Sequence, residues 1–334
     1  MVDRRKIVAI GGGTGLPNVL RGLKKYPVDI TAIVTVADDG GSSGMLRNEL
    51  QIPPPGDIRN VLVSLSDIEP IFEKLLQHRF KTDAGLNGHS MGNLLIAALT
   101  SITGDFVKGV REMSRILNVH GQVLPAADQS IILGAVMNDG SIVEGESCIP
   151  KANKKIDRVF LRPAQIRPLP ESIQAIREAD LITLGPGSLY TSVIPNLLVP
   201  ELAEEICRSK AKKVYLCNVM TQKGETDGFS AADHIAAIQR HVPGLCIDMI
   251  FVNNQPIASA ILQRYAAEEA EPVSVDREKL ERQGIEVVSA PLIRTSGGVI
   301  RHNEAAIAQL LMTRCLPQQR RLSFSEKEEP PFPV

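Results

Sequence analysis

The chain has no tryptophan and few other aromatic residues, four tyrosines and eight phenylalanines among 334 residues. Proteins that bind single-stranded nucleic acids stack the bases on aromatic side chains, so this scarcity argues against such a partner. The 37 Lys and Arg residues nearly balance the 38 Asp and Glu residues, which leaves a net charge of -1. A chain without excess positive charge has no overall field that attracts duplex DNA or RNA. We therefore expect no nucleic-acid partner.

Cysteine is also scarce, and long apolar runs are absent. The five cysteines are scattered, odd in number and never spaced as Cys-x-x-Cys, which argues against a zinc site or a disulfide framework and fits a reducing cytosol. The apolar run near the N-terminus is too short for a secretion signal, and it ends in glycines. No segment approaches the roughly 20 apolar residues of a membrane span. We therefore expect a cytoplasmic protein without a membrane span.

Short runs of Val, Ile and Leu alternate with helical patterns along most of the chain. Such an alternation is typical of a parallel sheet that is covered on both faces. The sequence therefore predicts an α/β fold, a Rossmann-like three-layer α/β/α sandwich with a mainly parallel central sheet. The predicted strands are residues 6–10, 30–36, 180–184, 214–218, 247–253 and 285–289, and the predicted helices are residues 16–25, 58–66, 71–80, 93–101, 106–117, 231–241, 256–265 and 303–315.

Three segments depart from this alternation. Residues 130–147 contain two alternating runs around Asn-Asp-Gly, which predicts a β-hairpin excursion. Residues 37–57 are rich in Gly, Ser and Pro and predict a long loop, and structureless loops of that length are usually functional or disordered. The polar, proline-rich residues 318–334 predict a disordered tail after a single nucleotide-binding domain, residues 1–317.

Small polar residues and glycines collect after six of the predicted strands. Parallel sheets bind their ligands beyond the carboxyl ends of the strands, so this clustering is a stronger indication of a binding site than any single motif. The ligand-binding candidates at these strand ends are Gly11, Gly12, Gly13, Thr14, Gly15, Asp38, Asp39, Ser42, Ser43, Gly185, Gly187, Ser188, Asn218, Asn253, Arg294 and Arg301.

The glycine loop after the first strand resembles a dinucleotide-binding fingerprint without completing it. Gly11 and Gly13 fit the start of Gly-x-Gly-x-x-Gly, but the last position is Leu16, and no Gly-Lys-Ser/Thr follows as in a Walker A loop. Consecutive free N–H groups at a helix N-terminus still favour an anion, most often phosphate. Gly187 and Ser188 form a plausible second anion nest of the same kind. The alternative is a tight strand–helix turn without a ligand.

Two carboxylates, Asp38 and Asp39, close the second strand. Asp38 lies near the position of a ribose-binding carboxylate in nucleotide folds. The adjacent Asp39 permits a different role, because two carboxylates and the phosphate oxygens of a ligand make a common Mg²⁺ site. Either residue can instead cap the turn that follows.

Two further motifs carry polar residues at predicted helix starts. In PPPGDIRN, Asp57 is a candidate N-cap and Arg59 can direct its guanidinium fork toward a phosphate. In NGHSMGN, Ser90 or Asn93 can cap the next helix, which leaves His89 unexplained and makes it a catalytic candidate. A Ser-His hydrolase is a poor alternative, because Ser90 lacks the Gly-x-Ser-x-Gly context.

Arg294 and Arg301 flank a Gly-Gly pair near the C-terminus, and both can supply positive charge to a diphosphate. Placed at a helix N-terminus, an arginine is electrostatically unfavourable unless an anion lies nearby. Surface arginines without a ligand are the alternative.

Taken together, five motifs resemble the YvcK/CofD-like family, in particular its bacterial YvcK (gluconeogenesis factor) branch. The motifs are AIGGGTGLPNVLRGL, TVADDGGSSGMLR, PPPGDIRN, GHSMGNLLIAAL and LGPGSLYTSVIPNLLVP, and the likeness covers residues 5–315. The resemblance implies a Rossmann-like fold that binds a nucleotide-containing ligand, a UDP-sugar or otherwise NAD or GDP. It also implies a role in growth on gluconeogenic carbon sources and in cell shape.

The resemblance assigns roles to particular residues. Asp38, Asp39 and Asn93 match motifs that line the reaction centre of the CofD relatives, which are Mg²⁺-dependent 2-phospho-L-lactate transferases. The DDGGSSG loop departs from the deazaflavin-binding sequence of those enzymes. In the YvcK branch, Tyr265 would stack on a base or ribose, and Arg301 would hold a phosphate or sugar.

The leading hypothesis is therefore a nucleotide-sugar-binding regulatory protein, read by a protein partner and assembled as a homo-oligomer, most simply a dimer. The second is a Mg²⁺-dependent transferase of a phosphorylated group from a nucleotide diphosphate. An NAD(P)-dependent oxidoreductase is a weaker alternative, because the fingerprint is incomplete. A tubulin-like GTPase rests on the GGGTG string alone.

Overall fold

A computed structural model describes residues 4–83 and 85–316, and the predicted tail 318–334 lies outside them. The strands are β1 (Arg5–Gly11), β2 (Val28–Val34), β3 (Gln122–Pro125), β4 (Ile132–Met137), β5 (Ile142–Glu144), β6 (Ile156–Arg162), β7 (Leu181–Leu184), β8 (Lys212–Leu216), β9 (Met249–Asn253), β10 (Glu286–Ala290), β11 (Ile293–Ser296) and β12 (Val299–His302).

Helices connect these strands. They are α1 (Gly15–Leu23), α2 (Gly41–Leu50), α3 (Gly56–Leu65), α4 (Pro70–Gln77), α5 (Met91–Thr103), α6 (Phe106–Ile116), α7 (Pro170–Glu178), α8 (Ile194–Leu197), α9 (Pro200–Arg208), α10 (Ala231–His241), α11 (Ser259–Ala267), α12 (Arg277–Glu281) and α13 (Glu304–Leu310). None of the helices in the part of the chain that the structure describes is long and apolar enough to cross a membrane.

Seven strands form a central parallel sheet in the order β10-β9-β8-β7-β1-β2-β3. Four consecutive residues of β1, Ile7 to Ile10, are fully buried. Successive side chains of a strand point to opposite faces, so both faces of the sheet are covered. The predicted Rossmann-like α/β fold with a parallel central sheet is confirmed.

The order of the strands determines where the sheet can bind a ligand. From β1 the chain moves outward through β2 to β3, and it then returns to place β7 on the other side of β1. The direction of the chain's progress across the sheet therefore reverses between β1 and β7. In open α/β sheets the ligand crevice lies at this reversal, outside the carboxyl ends of the strands.

Two small antiparallel sheets accompany the central one. The predicted hairpin in residues 130–147 is confirmed as β4 and β5, and β6 extends that sheet in the order β5-β4-β6. A second hairpin pairs β11 with β12. The sequence patterns did not predict β3, β6 or the β11–β12 hairpin, each of which is short or carries several charged residues.

The prediction that residues 37–57 form one long loop is wrong, because α2 occupies residues 41–50. Its sequence, GSSGMLRNEL, lacks an apolar stripe, and Gly and Ser are weak helix formers. The helix buries its first turn, including Ser42 and Ser43, and it packs against α5. Tertiary contacts and polar packing therefore stabilise a helix that periodicity does not reveal.

The C-terminal helix α13 directly follows β12 and packs on α1, the helix that begins at the glycine loop. Ile307 of α13 is fully buried in the main core. This contact therefore fixes the β11–β12 hairpin relative to the carboxyl edge of the sheet.

We expect Ile307→Ala to lower the free energy of unfolding by roughly 2–5 kcal/mol, because it leaves a cavity between α13 and α1. Ile102→Ala is the matched control, since Ile102 lies on α5 with 79% of its surface exposed, and it should change stability by less than about 0.5 kcal/mol. Urea denaturation monitored by circular dichroism measures both. Equal effects of the two substitutions would contradict the packing described for α13.

Candidate functional site

The glycine loop joins β1 to α1 at the point where the strand order reverses. A side chain at Gly15 would place its Cβ 2.6 Å from the carbonyl oxygen of Pro186, in the loop after β7. The loop after β1 and the loop after β7 therefore touch through their main chains, which only glycine allows here. The two loops thus line one crevice.

A buried carboxylate supports the first of these loops. The Asp57 Oδ2 atom accepts a hydrogen bond of 2.8 Å from the Gly13 N–H. The prediction that Asp57 caps α3 is wrong, because the N-cap residue is Pro55 and Asp57 lies in the first turn. Burial raises the pKa of Asp57 to about 6, although the Gly13 hydrogen bond opposes this rise. Asp57 therefore fixes the position of the glycine loop through the Gly13 N–H.

Asn218 and Gln222 hold the second loop. Asn218 follows β8, and its Nδ2 atom donates to the Gly187 carbonyl at 2.9 Å and to Gln222 Oε1 at 3.1 Å. The Gln222 Nε2 atom donates to Ser188 Oγ at 2.8 Å. This network fixes Gly187 and Ser188 opposite the first loop, so the predicted candidates Gly13, Gly187, Ser188 and Asn218 line one cleft.

Tyr265 and Arg301 line the outer side of the same cleft. The Tyr265 hydroxyl on α11 accepts a hydrogen bond of 3.1 Å from the Ile300 N–H of β12. Arg301 approaches Thr14 of the glycine loop, with its Nη1 atom 3.5 Å from the hydroxyl oxygen. The structure thus brings an aromatic ring and a guanidinium to the glycine loop. Their roles toward a ligand remain predictions.

Ser42 is the centre of a buried polar cluster beside the carboxyl end of β2. Its Oγ atom lies 3.2 Å from His89 Nδ1 and accepts from Asn93 Nδ2 at 3.1 Å. Ser90 caps α5 by accepting from the Asn93 N–H at 3.3 Å, which confirms the capping prediction for this motif. His89 and Asn93 are both almost fully buried. The two residues therefore support the site from within the protein.

Arg59 is also buried, with 5% of its surface exposed. Its guanidinium donates to Ser90 Oγ, to Asn93 Oδ1 at 2.9 Å and to Asn60 Oδ1 at 2.9 Å. Burial and the nearby Arg79 lower the pKa of Arg59 to about 10. The Nε atom has no hydrogen-bond partner. The guanidinium thus joins α3 to α5, and its contact with a phosphate stays a prediction.

Asp38 and Asp39 lie half-buried in the segment between β2 and α2. The prediction that they close the second strand is wrong, because β2 ends at Val34. The Asp38 Oδ1 atom accepts from the Gly40 N–H at 2.9 Å, and Asp39 Oδ1 accepts from the Ser147 N–H at 2.9 Å. Each carboxylate thus uses one oxygen atom in a main-chain hydrogen bond. Among the described residues, no group of three or more His, Cys, Asp or Glu side chains is arranged to hold a metal ion. A Mg²⁺ ion here would need ligand phosphate oxygens in addition to Asp38 and Asp39.

Two further carboxylates belong to this region. Burial, then repulsion from Asp38 and Glu225, raises the pKa of Glu146 to about 7. Burial raises the pKa of Glu225 to about 7, and its Oε2 atom has no hydrogen-bond partner. Carboxyl groups with raised pKa values near a cleft are typical of functional sites. The sequence patterns did not identify either residue, because each lies in an irregular segment far along the chain from the glycine loop.

Asn253 and Arg294 lie beside the cleft. Asn253 ends β9 and binds the main chain of Gln255 and Leu292, and it lines a neighbouring cavity that also includes Asn218. Arg294 and Arg301 are on the β11–β12 hairpin and not at a helix N-terminus. Arg294 pairs with Glu304 at 3.2 Å. Of the predicted candidates, Gly11 and Gly12 belong to the same glycine loop, whereas Ser43 lies buried in α2 and Gly185 begins the second loop.

A doubly wound parallel sheet with two touching glycine loops at its point of reversal defines this chain as a Rossmann-like α/β protein. Comparison with known families gives a more specific assignment. The family of 2-phospho-L-lactate transferase CofD matches residues 7–293. The chain belongs to this YvcK/CofD family, as the five sequence motifs predicted.

Several highly similar curated proteins are called gluconeogenesis factors. The chain is 57% identical over 311 residues to the gluconeogenesis factor of Halalkalibacterium halodurans, a match that covers 93% of this chain and 97% of that protein. It is 58% identical over 312 residues to the gluconeogenesis factor of Bacillus subtilis, with 93% and 98% covered. The crystal structure of protein BH3568 from Bacillus halodurans has a TM-score of 0.91 to this chain at 57% identity and covers 93% of it and 100% of its own chain.

We expect Glu146→Gln to stabilise the protein at pH 8 by about 2 kcal/mol more than at pH 5. Because the pKa of Glu146 is raised to about 7, the native state keeps a proton between pH 5 and pH 7 that the unfolded chain has lost. The contribution of Glu146 to stability therefore falls as the pH rises through this range, and the neutral glutamine removes that loss.

Urea denaturation at the two pH values measures this difference. Glu278→Gln on α12 is the control, because the Glu278 side chain is 85% exposed, and it should change stability by less than about 0.5 kcal/mol at either pH. The same stabilisation by Glu146→Gln at pH 5 and at pH 8 would contradict a raised pKa.

Proposed function

We propose that this chain is a cytoplasmic nucleotide-sugar-binding regulatory protein that is needed for growth on gluconeogenic carbon sources and for cell-shape and envelope homeostasis. The observation that carries the proposal is the cleft between the glycine loop and the loop of Gly187 and Ser188, with Arg301 beside it. Main-chain N–H groups and a guanidinium are the groups that bind a diphosphate without a metal ion.

The outer part of the cleft suits the remainder of such a ligand. Tyr265 offers an aromatic face beside Arg301, and a base or ribose can stack on it. The neighbouring cavity along β8 and β9 is lined by Asn253, Asn254 and Gln255, whose amide groups can hydrogen-bond a base. The names of the relatives support the role in growth on gluconeogenic carbon sources, because highly similar bacterial proteins are called gluconeogenesis factors.

The regulatory part of the proposal concerns the surface beside the ligand. The short helix α2 begins just after Asp38 and Asp39 and packs on α5. A ligand seated on the glycine loop would lie near these two carboxylates, and a change in the position of α2 would alter the exposed surface. The proposal includes a protein partner that binds this surface. It also includes a homo-oligomeric state.

We expect purified protein to bind UDP-N-acetylglucosamine without Mg²⁺ and without product formation, and to bind it more tightly than NAD⁺ or GDP. Arg301→Ala should weaken this binding by roughly 10-fold to 100-fold, because charge-assisted hydrogen bonds to phosphate are strong. Isothermal titration calorimetry gives the affinities.

Arg282→Ala is the matched control, since Arg282 is exposed directly after α12 and pairs with Glu278 at 3.0 Å. Its affinity should equal that of the unsubstituted protein. The proposal of a UDP-sugar site beside Arg301 is contradicted if both substitutions weaken binding equally. It is also contradicted if no UDP-sugar gives a heat of binding.

The acidic residues favour a second candidate function, a Mg²⁺-dependent transferase of a phosphorylated group from a nucleotide diphosphate. Asp38, Asp39, Asp57, Glu146 and Glu225 act on one another electrostatically beside the glycine loop. Such a cluster repels a diphosphate unless a cation or protons offset the charge. Asp38 and Asp39 would hold the ion together with ligand phosphates, and Mg²⁺ would neutralise charge that develops on the transferred group.

For this second candidate we expect turnover of a UDP or GDP conjugate that requires Mg²⁺ and falls at least roughly 100-fold in Asp38→Asn. Asp29→Asn is the control, because Asp29 is exposed near the amino end of β2, at the opposite edge of the sheet. Product release followed by chromatography measures the rate. The transferase is excluded for the conjugates tested if no product forms in the presence of Mg²⁺.

A further inference from the structure

A second cavity of about 380 Å³ lies on the other side of Arg301 from the glycine-loop cleft, a size within the range of small-molecule sites. The two cavities share Thr14, Asn18 and Arg301 in their linings and are therefore adjacent. A ligand that starts on the glycine loop and passes Arg301 enters this second cavity. Its further polar lining consists of Arg21, Arg294, Asn60, Gln77 and Ser296.

The three arginines of this cavity come from one helix and one β-hairpin. Arg21 lies on α1, and Arg294 and Arg301 lie directly opposite one another on β11 and β12. Directly opposed residues of an antiparallel pair project from the same face, and like charges in that position destabilise the pair. The hairpin thus carries an electrostatic cost that an anion in the cavity would offset.

The carboxylates near the cavity neutralise this charge only in part. Arg294 pairs with Glu304 at 3.2 Å, and Arg21 lies 3.5 Å from Glu73, whose side chain is 47% exposed. Arg301 forms no ion pair with any residue in the ranges 4–83 and 85–316. Exposed pairs of this kind contribute little energy, so both Arg21 and Arg294 can exchange their partners for a ligand anion.

We infer that the ligand of the glycine-loop cleft carries a second anionic group beyond its diphosphate, and that this group is the carboxylate of an acidic sugar bound by Arg21, Arg294 and Arg301. The inference rests on the proposed function and makes acidic nucleotide sugars its preferred ligands, with neutral UDP-sugars bound more weakly. A carboxylate matches the planar fork of a guanidinium in a bidentate pair. Asn60 and Gln77 supply amide groups for the sugar hydroxyls.

The test compares UDP-glucuronic acid with UDP-glucose. The two differ only at C6 of the sugar, which is a carboxylate carbon in UDP-glucuronic acid and a hydroxymethyl carbon in UDP-glucose. We expect the acidic ligand to bind roughly 10-fold more tightly at low salt. The preference should shrink as the salt concentration rises, because counterions screen the arginines. Isothermal titration calorimetry of the full chain gives both affinities.

Variants that remove a positive or a negative charge from this cavity test whether its arginines cause the preference for the acidic ligand. Arg294→Gln should reduce the preference for the acidic ligand at least threefold, since it removes one of the three guanidinium groups and frees the Glu304 carboxylate from Arg294. Glu73→Gln should increase the preference two- to fivefold, because it frees Arg21 from its competing carboxylate. Arg282→Gln, at an exposed position directly after α12, should leave the preference unchanged. The circular dichroism spectrum of each variant confirms that it is folded.

The outcomes separate this inference from the proposal on which it rests. Equal affinities for the two ligands overturn the inference and leave a UDP-sugar site beside the glycine loop intact. An equal loss of both ligands in Arg294→Gln also overturns it, because Arg294 would then act on the diphosphate. Failure of every UDP-sugar to bind overturns both the inference and the proposed function.

Discussion

The close approach of two main-chain loops is the constraint on which the rest of the site depends. A Cβ atom at Gly15 would lie 2.6 Å from the Pro186 carbonyl, and one at Gly187 would lie 3.2 Å from the Gly12 carbonyl. The loop after β1 and the loop after β7 can share a crevice only while these positions lack side chains. Because β1 and β7 are neighbours in the sheet, the order of the strands and the glycines together create the crevice.

The surroundings of this crevice are electrically asymmetric. Carboxylates lie on one side, where the Asp57 carboxylate accepts a hydrogen bond of 2.8 Å from the Gly13 N–H. Glu146 interacts electrostatically with Asp57, so further negative charge is unfavourable there. Guanidinium groups lie on the other side, on α1 and the β11–β12 hairpin. A bound diphosphate would experience an electric field directed across the glycine loop. A ligand with a second anionic group would bind most favourably when that group points toward the arginines. The asymmetry thus favours one orientation of the ligand.

The sequence predicted the sheet and the glycine loops well, because each rests on a local signal. Apolar runs such as residues 6–10 mark buried parallel strands, and glycines directly after them mark the loops at the carboxyl edge. Helix α2 was missed because Ser42 and Gly44 conceal its periodicity and because contacts with α5 stabilise it. Glu146 and Glu225 were missed for a different reason. Their raised pKa values arise from burial among residues distant in the chain, and no local pattern records that arrangement.

The same carboxylates bear on the choice between a binding protein and a transferase. Glu146 and Glu225 have pKa values of about 7, so near neutral pH the cluster already carries less than its full negative charge. A diphosphate that binds without a metal ion raises these pKa values further and takes up protons, whereas a Mg²⁺ ion stabilises the charged carboxylates and releases protons. A cluster poised between the two protonation states can accept an anionic ligand by taking up protons alone. That property suits the proposed binding protein, since such binding requires no ion, and the direction of proton exchange on binding distinguishes it from the Mg²⁺-dependent alternative.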